Sequence, residues 1–259
     1  MSDAGSRAGV VERLRAAGCV FAEEEAEMLL STATGPAELE LMVERRSSGL
    51  PLEHVVGWAD FAGLRIEVDA GVFVPRRRTE FLVGHAVELA PPGAVCVDLC
   101  CGSGAAAAVL LAGVEGAEVH ASDIEPAAVH CARRNVEPRG GRVYEGDLFA
   151  PLPSGLRGRV AVMVANVPYV PTGEVELLPP EARDHEPLVT LDGGADGLAV
   201  LRRVAAEAPE WLAPGGHLLM ETSERQAEAA AAVLSATGLA PRVVTSEEWW
   251  ATVVVATRP

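Results

Sequence analysis

The link between the last two strand patterns constrains the fold of this chain more than any other feature of its sequence. Pro241–Ser246 and Ala251–Thr257 both have the composition of β-strands, and only residues 247–250 separate them. So short a link permits an antiparallel pair, whereas a parallel pair needs a crossover of a dozen or more residues. The chain is therefore expected to end in an antiparallel hairpin.

Upstream of this hairpin, strand patterns alternate with helix patterns. Strands are predicted at 94–99, 117–122, 142–146, 160–165 and 216–222, and helices near 104–112, 126–136, 197–212 and 224–237. Such alternation is typical of an α/β protein with a doubly wound sheet. A parallel sheet that finishes in an antiparallel hairpin is the Rossmann-like arrangement of methyltransferases that use S-adenosylmethionine (SAM). A dinucleotide dehydrogenase would normally continue with βα units.

The first third of the sequence predicts two smaller units. Residues 1–52 have apolar positions at helical spacing, which predicts a small helical domain of about three helices. Residues 53–78 contain alternating apolar positions and a turn signal at 69–71, which predicts a β-hairpin linker. Thr79 is expected to cap a helix over 80–89, so the methyltransferase domain is placed at 79–259.

The composition excludes several kinds of site. All 21 basic residues are arginine, which rules out a Schiff-base lysine and the lysine of a P-loop. The formal charge of -16 argues against a nucleic-acid partner held over the whole surface. The 5 cysteines include no CxxC pair and the 6 histidines are scattered, so no metal is expected. With no signal peptide and no apolar run of about 20 residues, a cytoplasmic protein without a membrane partner is predicted.

A glycine-containing turn follows the strand at 94–99 and predicts a cofactor site. Asp98 ends the strand, where its carboxylate can meet the ammonium of a methionine group, and the helix after the turn presents unpaired N–H groups. A dinucleotide site would prefer GxGxxG, which this turn lacks. A tight turn without any ligand is the alternative. The turn residues are Cys100, Cys101, Gly102, Ser103 and Gly104.

Two further acidic residues follow the next two strands. Asp123 lies where an acidic residue can bind ribose hydroxyls, although it can also cap the helix that follows. Asp147 can accept a hydrogen bond from an adenine amino group, with Leu148 beside the ring, or it can be a turn residue. Three acids at successive strand ends favour a SAM site more strongly than any one of them would alone.

The tetrad Asn166-Val167-Pro168-Tyr169 follows the apolar run 160–164, which predicts a buried strand. Open α/β sheets bind their ligands at the carboxyl ends of such strands. A side-chain amide, free backbone carbonyls and an aromatic ring at that place can hold a planar NH2 group. The tetrad therefore indicates methyl transfer to nitrogen, and Asn166 would lie beside both the cofactor and the acceptor.

With these motifs in place, the chain from about His54 to its end resembles the HemK/PrmC family of protein-(glutamine-N5) methyltransferases, as a divergent member. Two positions depart from the family pattern, since Val167 replaces a proline and Cys100 replaces a glycine. The helical domain at 1–52, which the resemblance implies is for substrate recognition, is also shorter than usual. The motifs that carry the resemblance are 71–76 with Thr79-Glu80, 98–104, 166–169, Glu186-Pro187, 191–198 and 212–216.

The resemblance implies SAM as cofactor and the glutamine of a peptide-chain release factor as acceptor. It implies that Asn166 and the carbonyl of Val167 accept hydrogen bonds from the acceptor amide, with Pro168 and Tyr169 packed beside it. Phe73 or Val74 would wall the acceptor pocket from the linker side. Two alternatives stay open: an N-methyltransferase of a small amine or a nucleic-acid base, and a SAM-binding module without catalysis.

Three other clusters have interpretations of their own. Residues 76–78 form the densest basic run, which we interpret as a solvated, salt-bridged surface rather than a contact for an acidic partner. Residues 184–186 suggest acid–base chemistry, although a loop cap or a salt bridge is the simpler interpretation. Trp249 and Trp250 are expected to pack around the final hairpin.

Overall fold

The computed structural model describes residues 5–259, so the first four residues of the helical domain predicted at 1–52 lie outside the described residues. Within that range the domain contains the expected three helices, and a further short helix at Leu52–Val56 occupies the start of the segment predicted as the linker. Their hydrophobic core includes Val10, Leu14, Leu29 and Val43, which are fully buried. The helices are α1 (Arg7–Ala16), α2 (Ala22–Thr32), α3 (Pro36–Ser47) and α4 (Leu52–Val56).

A buried ion pair fastens this small domain together. Arg46 on α3 donates from Nε to Glu25 on α2 at 2.6 Å, and both side chains are nearly inaccessible to solvent. The same guanidinium also pairs with Glu181, 2.7 Å away in the segment that borders the cavity described below. Arg46 therefore links the helical domain to the rest of the chain.

Removing this arginine is expected to destabilise the chain by about 3 kcal/mol, because Arg46→Ala leaves a buried carboxylate without its partner. The matched control is Arg13→Ala, which removes the exposed pair with Glu40 and should cost less than about 1 kcal/mol. Urea unfolding followed by circular dichroism measures both variants. Equal losses in the two variants would contradict the assignment of Arg46 as a structural tie.

The linker contains the predicted hairpin, but its turn was placed in the wrong position. Strands β1 (Trp58–Phe61) and β2 (Leu64–Glu67) are antiparallel and joined by Ala62 and Gly63. Both turn residues have positive φ, 50° and 74°, as a tight two-residue hairpin turn requires. The predicted position at 69–71 is a separate turn after β2, closed by a hydrogen bond from Val72 N–H to the Asp69 carbonyl.

Helix α5 (Thr79–Leu89) begins one residue earlier than predicted. Thr79 is itself the first helical residue, and the N-cap position before it is Arg78, whose side chain makes no capping hydrogen bond. The Thr79 hydroxyl donates to Glu221, 2.7 Å away, so the prediction that Thr79 caps this helix was wrong. The partner of this hydroxyl is therefore the carboxylate of Glu221, which is distant in the sequence, and not the neighbouring backbone.

The main domain has the predicted α/β architecture, a seven-stranded sheet in the order β5-β4-β3-β6-β7-β9-β8. Only β9 runs antiparallel to its neighbours, which confirms the final hairpin. The elements are β3 (Val95–Leu99), α6 (Ala105–Gly113), β4 (Glu118–Asp123), α7 (Pro126–Val136), β5 (Arg142–Glu145), β6 (Val160–Ala165), α8 (Pro180–His185), α9 (Ala199–Trp211), β7 (Leu212–Thr222), α10 (Ala227–Ala236), β8 (Ala240–Ser246) and β9 (Ala251–Thr257).

Both faces of this sheet are buried, which explains why its central strands are continuous apolar runs. Along β6, Val162 and Val164 pack on the side of α5, α6 and α7, while Met163 and Ala165 pack on the side of α9 and α10. Strand β7 begins at Leu212, four residues before its predicted start at 216, since 212 also pairs with β6. A short 3-10 turn occupies 224–226 before α10, so the helix predicted at 224–237 is shorter than expected.

The strand order reverses between β3 and β6, and this position determines where a ligand can bind. The chain leaves β3 toward β4 and β5, whereas it leaves β6 toward β7 on the other side. Ligands of open α/β sheets bind in the crevice at such a switch point, at the carboxyl ends of the strands. Leu99 pairs with Ala165 in the register, so the turn after β3 and the tetrad after β6 emerge side by side. Within residues 5–259, no helix has the length and apolarity needed to cross a membrane.

Candidate active site

A cavity of about 1360 Å³ lies at this switch point. Segments that are far apart in the sequence line it: the linker, the start of α5, the ends of β3, β4, β6 and β7, and the turn of the final hairpin. Predicted site residues that line it are Phe73, Asp98, Cys100, Cys101, Gly102, Ser103, Asp123, Asn166, Val167, Pro168 and Tyr169. The two halves of the predicted site, for cofactor and for acceptor, therefore share one space.

Asp98 is a buried carboxyl group with few partners. It is 2% exposed, and its Oδ2 accepts one hydrogen bond from the backbone N–H of Ala107, at 3.0 Å. No arginine or histidine pairs with it in residues 5–259. Burial raises the pKa of Asp98 to about 7, and the neighbouring charge of Asp123 adds to the effect. Within the described chain this buried carboxylate has no positively charged partner, and the ammonium group of a ligand in the cavity would provide one.

The turn after Asp98 brings the backbone close to the cavity. Gly102 has a φ of 54°, and the nearest atoms to a Cβ added there lie 4.0 Å away, so the residue is needed for its backbone conformation. Gly104 does not line the cavity. A Cβ at Gly104 would lie 2.7 Å from Val136 Cγ2, so this glycine lets the turn pack against α7.

Cys100 occupies the left-handed region with a φ of 54°, a conformation that suits the glycine usual in the family. Burial raises the pKa of the Cys100 thiol and of the Cys101 thiol. Both groups therefore stay protonated and unreactive near neutral pH, because the thiolate is the reactive form. The geometry agrees with small residues filling a tight turn.

This strained cysteine gives a prediction about stability. Cys100→Gly is expected to be more stable than Cys100→Ala by about 1 kcal/mol, because alanine keeps a Cβ at positive φ. In an ordinary helix or strand the order of the two variants is reversed. Thermal unfolding of the two variants gives the sign directly. An alanine variant at least as stable as the glycine variant would show that Cys100 carries no backbone strain.

Asp123 ends β4 and organises the neighbouring loops. Its Oδ2 accepts from Gly102 N–H at 2.8 Å and its Oδ1 from Glu125 N–H at 2.9 Å. It is buried, and this burial raises the pKa of its carboxyl group. Ile124, half exposed, lines the cavity beside it, an apolar contact that the sequence did not suggest. The carboxylate faces the cavity, where its predicted role toward a ribose stays a prediction.

Besides Gly104, two of the predicted cofactor residues, Asp147 and Leu148, lie outside the cavity wall. Asp147 forms an ion pair with Arg203 on α9, at 2.6 Å, and is half exposed. Leu148 is buried in the core, and its carbonyl accepts a hydrogen bond from the Ser122 hydroxyl. Their predicted contacts with the adenine ring stay predictions.

All four residues of the tetrad line the cavity. The Asn166 side chain donates from Nδ2 to the Thr79 hydroxyl oxygen at 3.5 Å. The Tyr169 hydroxyl donates to Glu221 at 2.9 Å and accepts from Arg78 at 2.7 Å. Burial raises the pKa of the Tyr169 phenol, so it stays neutral. The tetrad is thus held at both ends by side chains from α5 and β7.

The two predicted pocket residues of the linker have different positions. Phe73 lines the cavity, with the Arg76 guanidinium 4.8 Å from its ring centre. Val74 is buried and does not line the cavity, and its N–H donates to Glu186 at 3.1 Å. Glu186 also accepts from Arg76 at 2.6 Å, which confirms a salt bridge in the segment 184–186.

Sequence reasoning missed the network around Glu221. This carboxylate is 2% exposed at the end of β7 and accepts from Arg78, Thr79 and Tyr169. Its signal was present, since Glu221 is a lone acid at the end of the apolar run 218–220. The basic run at 76–78 is salt-bridged as predicted. Arg76 and Arg78 keep 31% and 45% of their side chains exposed, as the prediction of a solvated surface requires, but their carboxylate partners are buried.

The prediction that Trp250 packs around the final hairpin was also wrong. Its side chain is 89% exposed and borders the cavity from the turn between β8 and β9. Its φ of 50° turns the chain sharply and places the ring outside the core. The hairpin core is instead built by small β-branched residues such as Val253 and Val254, which are fully buried.

Comparison with known proteins identifies relatives of this chain. Residues 63–177 match the family model for the methyltransferase small domain. The release factor glutamine methyltransferase of Geobacter sulfurreducens is 38% identical over 241 residues, covering 85% of this chain and 84% of that protein. The 4-amino-L-phenylalanine/4-methylamino-L-phenylalanine methyltransferase of Streptomyces pristinaespiralis is 36% identical, covering 76% of this chain and 69% of that protein.

A solved structure supports the fold alone. The methyltransferase from Pyrococcus furiosus has a TM-score of 0.58 at 17% identity, and the match covers 76% of this chain and 90% of that one. The identity to the Geobacter protein extends over most of both chains. This chain therefore belongs to the family of release factor glutamine methyltransferases, which are SAM-dependent enzymes.

Proposed function

We propose that this protein transfers a methyl group from SAM to the side-chain amide nitrogen of a glutamine in a peptide-chain release factor. One observation carries the proposal: Asp98 and the tetrad 166–169 face a single cavity at the switch point of the sheet. The cavity thus brings a site for a charged cofactor beside a site for a planar amide. The family relationship supports the choice of acceptor.

The residues present fit SAM. The buried Asp98 carboxylate has no cationic partner in residues 5–259 and would hold the ammonium of the methionine part. Gly102 brings backbone to the cavity wall, and Asp123 faces the same space for the ribose hydroxyls. SAM, when bound, supplies an electrophilic methyl group. The protein supplies the binding energy and the orientation.

The tetrad suits the chemistry of an amide nitrogen, whose lone pair is delocalised into its carbonyl. Asn166 Oδ1 and the Val167 carbonyl would each accept one N–H of the acceptor. Two such hydrogen bonds orient the NH2 group and favour its pyramidal form. Tyr169 stays neutral and packs beside the planar group. The gain comes from positioning and from stabilising the charge that develops on nitrogen.

Intact-mass spectrometry of a release factor incubated with the protein and SAM tests this function. We expect a gain of one methyl group, located by peptide fragmentation on a single glutamine. Omitting SAM is the control for chemical modification. Absence of any methyl gain on purified release factors would refute the proposal.

A second candidate acceptor is a small aromatic amine. The relative from Streptomyces pristinaespiralis is 36% identical to this chain and is named as a methyltransferase of such an amine. A glutamine amide and an arylamine both present an NH2 group to two acceptors. Incubation with 4-amino-L-phenylalanine in place of the release factor distinguishes the two candidate acceptors. If the amine is methylated and the release factor is not, the amine is the acceptor.

The remaining parts of the proposal concern partners and location. The helical domain would recognise the protein acceptor, with α8 beside it through the Arg46–Glu181 ion pair. A release factor as acceptor places the reaction in the cytoplasm. The formal charge of -16 favours this protein partner over a nucleic acid.

A further inference from the structure

Asn166 can contribute to catalysis only if the correct end of its amide faces the acceptor. The two ends of an asparagine amide have nearly the same shape, but one accepts hydrogen bonds and the other donates them. An acceptor NH2 group needs the Oδ1 end, because its N–H groups and those of Nδ2 are all donors and cannot form a hydrogen bond with one another. Some neighbour must therefore select one of the two orientations.

The buried carboxylate of Glu221 begins this selection. An ionised carboxylate only accepts hydrogen bonds. Its Oε1 accepts from Arg78 at 2.8 Å and from Tyr169 at 2.9 Å, and its Oε2 accepts from the Thr79 hydroxyl at 2.7 Å. The Thr79 hydroxyl has one proton, and that proton is committed to Glu221.

The hydroxyl oxygen of Thr79 can then only accept from its other neighbour. That neighbour is Asn166, whose Nδ2 lies 3.5 Å away. With Nδ2 directed at Thr79, Oδ1 is the end left for the cavity that Asn166 lines. Thr79 is 5% exposed, so water does not readily replace it in this chain of hydrogen bonds.

We propose that Thr79, oriented by Glu221, is a positioning residue that fixes the amide of Asn166 with its oxygen toward the acceptor nitrogen. This inference rests on the proposed function, because it assumes an acceptor that donates N–H bonds. Thr79 lines the same cavity, but its hydroxyl proton is committed to Glu221, so its proposed role is to act through Asn166. The polarity of three consecutive hydrogen bonds thus determines which groups the site accepts.

Two substitutions at Thr79 test the role of its hydroxyl. Thr79→Val removes the hydroxyl with little change in shape, and Thr79→Ser keeps it. We expect kcat for release factor methylation to fall about 10- to 100-fold in Thr79→Val, the range that misplacement of a reacting group produces. The KM for the release factor and the affinity for SAM should change less than about threefold, since bound groups keep their other contacts. Thr79→Ser should recover most of the activity.

Glu221→Gln is a sharper test because it reverses the polarity without removing any partner. The glutamine Oε1 can keep Arg78 and Tyr169, while its Nε2 donates to Thr79. The Thr79 proton then goes to Asn166, which must turn its Oδ1 away from the cavity. We expect a loss of kcat as large as in Thr79→Val, with Tm lowered by no more than a few degrees.

Two results would overturn the inference: wild-type kcat in Thr79→Val, or Thr79→Ser as impaired as Thr79→Val. Neutron diffraction of the unaltered protein is independent of folding and of the acceptor. Deuterium on the amide atom that faces Thr79 supports the inference, and deuterium on the cavity-facing atom refutes it. If the wild-type protein methylates no release factor, the proposed function fails, whereas the neutron result still decides the orientation of Asn166.

Discussion

Replacement of Asn166 by alanine is expected to lower kcat for release factor methylation by about 100- to 1000-fold, the effect typical of removing one group that stabilises developing charge. The variant loses the Oδ1 that would accept from the acceptor nitrogen, while the Val167 carbonyl remains. Affinity for SAM should stay within about threefold of the wild type, because the residues that would hold its ammonium and ribose, Asp98 and Asp123, are untouched. Single-turnover kinetics with radiolabelled SAM measures the chemical step directly.

A matched control keeps this result specific to the cavity. Thr172→Ala lies three residues beyond the tetrad and outside the cavity wall, where its hydroxyl donates to Asp192 at 2.7 Å. It should retain full activity. If Asn166→Ala keeps kcat within about fivefold of the wild type, two acceptors on the NH2 group are not required. The tetrad would then be a structural turn.

The second large effect is expected for Asp98→Asn, which should weaken SAM binding about 10- to 100-fold at pH 7.5, the range for loss of a hydrogen bond to a charged group. Asparagine can keep the hydrogen bond from Ala107 N–H but cannot neutralise an ammonium. Isothermal titration calorimetry with SAM or S-adenosylhomocysteine measures the change. Asp147→Asn alters an acid outside the cavity wall and tests separately whether that residue contacts the cofactor.

Asp98 should also make SAM binding depend on pH. Its pKa of about 7 means that the carboxylate form, which attracts the ammonium, is lost as the pH falls below 7. We expect the Kd to rise roughly eightfold between pH 7.5 and pH 6 for a group of this pKa. Burial also raises the pKa of Asp123, so Asp98→Asn is needed to isolate the effect. A wild-type Kd that is constant over this range would contradict the assignment.

The same shift predicts that Asp98 costs stability in the protein without cofactor. Its pKa is raised from 3.8 to about 7 on folding, so the folded state binds the proton more tightly than the unfolded state. Stability contributed by the protonated form is present below pH 3.8 and is lost as the pH rises toward 7. Asp98→Asn should therefore raise the free energy of unfolding at pH 8, although it weakens cofactor binding.

The strands, the final hairpin and the positions of the main motifs could be predicted from local patterns. A strand buried on both faces is a continuous apolar run, so 160–165 was found with its true limits. The hairpin turn of the linker was missed because Ala62 is not a usual turn residue at positive φ. The segment between β6 and α9 has short helices that its sequence pattern did not reveal.

The supporting residues of the site depend on contacts between distant parts of the chain. Thr79 lies 87 residues before Asn166 and 142 before Glu221, so no local pattern connects them. From local patterns alone, Thr79 was therefore predicted to cap a helix and residues 76–78 were predicted to lie on the surface. Only the folded sheet brings α5, β6 and β7 to one edge and gives these side chains their partners.

By itself the sequence determined the fold class, the methyltransferase family and the residues of the tetrad, because these are written in periodicity and short motifs. The tertiary structure decided which of the predicted residues share a cavity, leaving Asp147, Leu148, Val74 and Gly104 outside its wall. It also decided that burial raises the pKa of Asp98 and that Asn166 lies within hydrogen-bonding distance of Thr79. Burial and hydrogen-bond polarity arise from neighbours in space, and a linear sequence does not specify those neighbours.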